Sequence, residues 1–335
     1  MTTRVAGGGR SLALDAAARG RLGERLGSAG ALARRERRPV LASVTCPLDA
    51  RIDLSATVLA ARRPDDRFFC FEQPDRDRFA LACLGAAAEV RSAGPERFAQ
   101  AAAECRWLGA SALVDPPAAG PAQGVGPVWV GGFAFAAEGG AVPEWSSLPP
   151  ALLTLPEVSL ARRGDEAWLT VSALVQGDEA PAALLERVEA RLNELSPAAM
   201  PLLDPDPIES ARVASAAPAE HFESAIRRAT EKIAAGEVEK VVLAREVRVH
   251  MPRPAEPGAV YDGLRAAFPS CYCYLVGTPE LVFVGASPEL LVRRDGQRAQ
   301  TVALAGTRRR SADPSVDGHL AEQLLQSPKD REEQA

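Results

Sequence analysis

The sequence predicts an α+β fold rich in antiparallel sheet, and three observations predict it. Short apolar runs with strand-like alternation recur between residues 39 and 175. The dipeptide Gly164-Asp165 separates two of them, LLTLPEVSLARR and AWLTVSALV, as the turn of an antiparallel hairpin does. Beyond residue 218, helical and strand periodicities succeed one another. With 335 residues, 47% hydrophobic and 25% charged, the chain can bury one large core or two ordinary ones.

Residues 1–38 read as an Arg/Ala-rich N-terminal arm or helix, and the first clear strand is PVLASV at 39–44. Strand-like runs follow at 54–60, 67–72 and 79–84, then a helix near 95–107 and an apolar strand at 127–135. After the Gly164-Asp165 hairpin, a helix at about 180–195 closes an N-terminal, sheet-rich half spanning 39–195. Residues 196–218 hold Pro197, Pro201, Pro205, Pro207 and Pro218 and read as a connection. From 219 to 335, Phe222, Ile226, Ala229 and Ile233 repeat at helical spacing, Gly236 stops that helix, and KVVLAREVRVH at 240–250 reads as a strand. A helix around 258–267 follows, then strands near 271–276, 280–285 and 299–304, with a hairpin at Asp295-Gly296 and a helix from about 315.

The formal charge of −5 argues against a nucleic-acid surface and against a polybasic membrane patch. The longest uncharged stretch, 116–137, is broken by prolines and glycines, so no membrane span is expected. No secretory leader is legible, and the expected location is the cytoplasm. Six scattered cysteines contain no CxxC pair, and only three histidines occur, so neither a zinc site nor a His-based triad is written in the chain. Cys271 and Cys273 share a strand face and read as small buried apolar residues. No Walker loop and no GxGxxG follows a strand.

Chemistry then falls to lysines and carboxylates. Of 39 basic residues 36 are arginine, so Lys240 at the head of an apolar run stands out. Pointing between layers, its amine loses water and becomes a general base, as an arginine cannot; pointing outward, it is a solvated strand end. In GASPEL, Ser287 is placed to cap a helix with Pro288 in its first position and Glu289 in its first turn, either as a carboxyl group held for acid catalysis or as plain dipole decoration. LAGT at 304–307 puts small residues after a strand, where backbone N–H groups can approach a ligand. In SPKDREE, Asp330 and Glu333 lie one helical turn apart and offer oxygen ligands to Mg²⁺, or form a solvated face.

In order, KVVLAR, GASPELL, LAGT and KDREE resemble the successive motifs of the chorismate-utilising enzymes, and most of all those of the isochorismate synthases. The resemblance is strong from about 219 to 335 and looser over 39–195. It implies a layered α/β/β/α sandwich. It implies that Lys240 deprotonates the attacking water, that Glu289 protonates the departing hydroxyl of chorismate, that Ala305, Gly306 and Thr307 line the substrate site, and that Glu333 binds Mg²⁺. Anthranilate synthases resemble the chain too but carry glutamine where Lys240 stands. Aminodeoxychorismate synthases often place a nucleophilic lysine where Ala305 stands. The implied reaction is isomerisation of chorismate to isochorismate, for menaquinone or siderophore synthesis, in a monomer with no glutaminase partner. A salicylate synthase, or a non-catalytic relative that binds a small acid, is the alternative. Ala303 and Gln334 replace a proline and a histidine usual in the family. A second metal glutamate and a Gly-rich carboxylate loop are expected beyond Ala335, in a chain truncated at its C-terminus.

Overall fold

The computed structural model describes residues 11–116, 124–140, 143–202 and 211–334. In chain order the elements are α1 (Ala16–Glu36), β1 (Val40–Leu48), α2 (Leu54–Ala60), β2 (Phe68–Gln73), β3 (Phe79–Leu84), β4 (Ala88–Ser92), α3 (Arg97–Gly109), β5 (Val130–Phe133), β6 (Ala151–Leu155), β7 (Val158–Arg163), β8 (Glu166–Val175) and α4 (Pro181–Asn193). They continue as β9 (Arg212–Ser215), α5 (Ala219–Ala234), β10 (Val247–His250), α6 (Pro257–Ala267), β11 (Tyr272–Gly277), β12 (Val282–Ser287), β13 (Arg293–Asp295), β14 (Arg298–Gln300), α7 (Pro314–Leu325) and α8 (Pro328–Gln334).

Two units result: one runs to Met200 and resumes at Tyr261, and the other is Pro201–Val260. The larger unit is built on an antiparallel seven-stranded sheet in the order β1-β8-β7-β3-β2-β11-β12. Period-two alternation decides which side chains go to each face. On β3, Ala80, Ala82 and Leu84 join the main core, whereas Leu81 and Cys83 join a second cluster with Val130 and Ala161. Helix α1 covers the first face with Leu22, Leu26, Ala29 and Ala33, spaced by three and four residues so that one stripe is apolar. Asp15 caps it, accepting from the Ala18 N–H at 2.7 Å.

Against the second face lies a three-stranded sheet, β4-β6-β5. Leu152 and Thr154 of β6 border the same small recess as Phe69 and Cys83, whereas Leu153 packs with Val90 and with Ala101 and Leu108 of α3. Helices, large sheet, small sheet and α3 thus form the expected α/β/β/α layers.

Several elements differ from the sequence reading. Residues 54–60 form a helix, not a strand: Asp53 accepts from the Ala56 N–H at 3.0 Å, and Leu54 through Leu59 are all buried, which leaves no period to read. The run LLTLPEVSLARR is two strands in different sheets, parted at Pro156; its second half pairs with β8 through Gly164, whose φ of +57° suits the turn. The expected strands at 127–135 and 299–304 shrink to Val130–Phe133 and Arg298–Gln300, and β4 was not anticipated. A unit boundary falls inside the expected connection, between Met200 and Pro201, but the first unit resumes at Tyr261, because β11 and β12 complete its sheet, and β9 lies within the 196–218 segment. Residues 1–10, 117–123, 141–142, 203–210 and Ala335 of the expected segments lie outside the described residues.

A charged group ties α1 to the sheet. Asp115 accepts from Arg25 Nη2 and from the Thr45 N–H, both at 2.7 Å, with Arg21 at 3.3 Å. Burial works to raise its pKa, but the Arg25 and Thr45 hydrogen bonds and the charges of Arg25 and Arg21 outweigh it, and the carboxyl group sits below its ordinary range. A folded pKa below the unfolded one stabilises the protein above about pH 4, and the contribution is lost as pH falls through the folded value. The melting temperature of the Asp115→Asn variant is therefore expected to lie below that of the parent at pH 7 and to converge on it by about pH 2. A gap that stays constant with pH counts against the linkage.

Candidate functional site

Within the larger unit, the structure brings together two of the sequence-predicted features. The turn carrying Ala305, Gly306 and Thr307 lies against the α7–α8 pair: a Cβ built on Gly306 would stand 2.6 Å from the Asp330 carboxylate and 2.7 Å from Leu324 Cδ1. Ala305 is half-buried, and Gly306 and Thr307 are exposed, so the turn presents backbone to solvent on one side and to α8 on the other. Glu333 stands exposed one helical turn beyond Asp330, on the same face of α8.

Glu289 departs from expectation. Ser287 is the last residue of β12 and no helix follows, so Glu289 lies in irregular chain and is exposed. The Ser287 hydroxyl still accepts from the Glu289 N–H, at 3.3 Å, a short side-chain turn in place of a helix cap. Pro288 stops the strand ladder by removing a donor, and Leu290 and Leu291 instead accept from the Thr301 hydroxyl, the latter at 2.9 Å.

Lys240 belongs to the smaller unit, where it is exposed. Residues 240–246 are not in a strand; only Val247–His250 pair, antiparallel to Arg212–Ser215. Of the two readings of Lys240, the structure shows the outward one: the residue is exposed, and Val242 two positions on is 86% exposed. Apolar alternation in VVLA suits a strand, but a strand needs a partner ladder, and residues 240–245 belong to none of the described sheets.

Sequence reasoning missed an apolar hollow of 670 Å³ on the second face of the large sheet. Phe69 and Phe71 of β2, Tyr274 and Val276 of β11, Phe283 of β12 and Trp145 are among its walls. The Phe283 ring centroid lies 5.6 Å from those of both Trp145, which it meets edge to face, and Tyr274, to which it is tilted. The signal was present as FxF and YxY spacing, which puts aromatics on one sheet face. None of the predicted site residues lines it.

For a metal, the pertinent donors are the carboxylates of α8. Mg²⁺ prefers hard oxygens, keeps several waters and commonly takes only one or two protein carboxylates. Glu333, exposed, fits that requirement; among the described residues no group of three or more His, Cys, Asp or Glu gathers. The thiols do not compete, since all six cysteines are unpaired and burial pushes Cys70 up to about 12 and Cys46 and Cys273 up to about 11.

A family model described as chorismate binding enzyme matches residues 26–335. This chain belongs to the chorismate binding enzymes. It is 32% identical over 267 residues to the salicylate biosynthesis isochorismate synthase of Pseudomonas aeruginosa, a match covering 78% of this chain and 53% of that protein. It is 42% identical over 111 residues to anthranilate synthase component 1 of Thermus thermophilus, covering 33% of this chain and 24% of that one. The chain thus spans about half the length of the first of these relatives and less of the second. Its fold resembles that of the menaquinone-specific isochorismate synthase MenF of Escherichia coli, with a TM-score of 0.63 and 22% identity over 92% of this chain and 66% of that chain. The chorismate binding enzyme match contains Lys240, Glu289, Ala305, Gly306, Thr307 and Glu333. Among the described residues no helix is long and apolar enough to cross a membrane.

Proposed function

We propose that the protein carrying this chain is an Mg²⁺-dependent isochorismate synthase. One observation carries the reading: a family match running from 26 to 335 holds a lysine at 240, where resemblance puts glutamine in the ammonia-using anthranilate synthases. A water molecule adds to one ring carbon of chorismate, giving its proton to Lys240. The hydroxyl on another ring carbon leaves as water, taking its proton from Glu289. One water enters and one departs, so the product is an isomer and no electron acceptor is needed. Glu333 would hold Mg²⁺, which when bound would supply charge neutralisation at the substrate carboxylate. Ala305, Gly306 and Thr307 present backbone to the substrate, and no ammonia-supplying partner is required. The identity of 32% with the salicylate-pathway enzyme supports water as nucleophile. Isochorismate made in this way serves menaquinone or siderophore synthesis.

The test is product analysis after incubation of the intact protein with chorismate and Mg²⁺. Isochorismate as the end product is the expected result. Salicylate with an equivalent of pyruvate transfers the protein to the salicylate synthases, and anthranilate formed with added ammonium salts overturns the reading of Lys240.

A further inference from the structure

Gly306 has a φ of +74°, in the left-handed region that other residues enter only at a cost. The Asp330 Cγ and Oδ2 lie 2.6 Å from where its Cβ would be, so the carboxylate rests directly on the bare Cα of the turn. Asp330 is half-buried, whereas Glu332 and Glu333 beside it are exposed. Its helix start is fixed in place: the Asp330 N–H donates to Ser327 Oγ at 3.4 Å and the Arg331 N–H to the Ser327 carbonyl at 3.1 Å. Residues three apart share a helix face, so the face that meets Gly306 through Asp330 is the face that carries Glu333.

We propose that Asp330 is a positioning residue that sets the tilt and distance of α8 from the 305–307 backbone, and so places Glu333 relative to the substrate-lining turn. The assignment rests on the isochorismate synthase reading and deepens it. Asp330 acts through shape: its short side chain fills the space that a glycine leaves, and either partner grown by one carbon pushes helix and turn apart. On that reading Glu333 would hold the cation and Gly306 would face the substrate, while Asp330 packs on Gly306.

The test uses Asp330→Ala, Asp330→Asn, Gly306→Ala and the double variant Gly306→Ala/Asp330→Ala in the intact protein. Asp330→Ala is expected to lower kcat at least tenfold with little change in KM for chorismate, while Asp330→Asn, of the same shape, stays within about threefold of the parent. Amide hydrogen exchange at 304–307 is expected to quicken in Asp330→Ala and not in Asp330→Asn, a readout independent of turnover. Gly306→Ala is expected to lose more activity than Asp330→Ala, and the double variant to recover only the part owed to Asp330, because the left-handed φ and Leu324 Cδ1 oppose a Cβ in both. Asp330→Asn falling as far as Asp330→Ala makes the carboxylate a ligand and overturns the inference, as does unchanged exchange in Asp330→Ala. Calorimetric Mg²⁺ binding to Glu333→Gln separates the two levels: undiminished affinity there removes the cation role of Glu333, while exchange at 304–307 still decides the role of Asp330.

Discussion

Replacing Arg265 by methionine is expected to cost ~3–5 kcal/mol of stability, the penalty for breaking a buried ion pair from one side. Arg265 reaches from α6 to two elements: it donates to Glu72 Oε1 of β2 at 3.0 Å and to Asp53 Oδ2, the cap of α2, at 2.5 Å. Asp262 on the same helix is a third partner at 2.8 Å. The Glu72 side chain is 5% exposed and Arg265 16%, so these charges are poorly screened by water. Burial works to lower the Arg265 pKa, but the Asp53 hydrogen bond and the charges of Glu72 and Asp53 hold it above its ordinary value. Without the guanidinium, Glu72 keeps only the Ser55 hydroxyl, at 2.5 Å, among these partners. The melting temperature is expected to fall by about 10 °C. Adding Glu72→Leu to Arg265→Met should recover part of the loss, because the stranded charge is then gone. A drop below about 2 °C for Arg265→Met alone shows that α6 is held by its apolar face, through Tyr261, and not by this network.

That network was hidden from the sequence for a definite reason. Asp53, Glu72 and Arg265 are far apart along the chain, and nothing in DLSATVLA or FFCFEQ separates a buried carboxylate from a solvated one until the fold joins them. What was legible was local. The stripe of α1, the Gly164 turn and the alternation of β2, β3, β8 and β11 each follow from spacing within one element. The errors arise where a neighbour decides: LSATVL is buried on every side, so its helix showed no period, and KVVLAR lacks in this structure the partner ladder that its β-branched residues suit. GASPEL carried a sound capping pattern, but Ser287 stays in the ladder with Tyr272, and the strand wins over the cap. At the site, four short motifs carry the likeness to the family, and the fold joins LAGT to KDREE through a contact that no single motif contains.

Replacing Lys240 by alanine is expected to reduce kcat for chorismate conversion about 10³-fold, the usual scale for loss of a general base. Lys240→Arg should be no better, since a guanidinium keeps its proton and cannot accept one from water. The exposed position of Lys240 in this structure sharpens the expectation. An amine serves as a base near neutral pH when it is withdrawn from water, so the catalytic role requires that chorismate and Mg²⁺ bound to the intact protein cover residue 240. The chain has only three lysines, which makes this directly measurable. Lys232, ion-paired with Glu237, serves as the internal reference for amine-reactive labelling read by mass spectrometry. Chorismate with Mg²⁺ should slow labelling of Lys240 at least fivefold and leave Lys232 unchanged. Equal labelling with and without substrate, together with turnover retained in Lys240→Ala, removes this lysine from the proposed reaction.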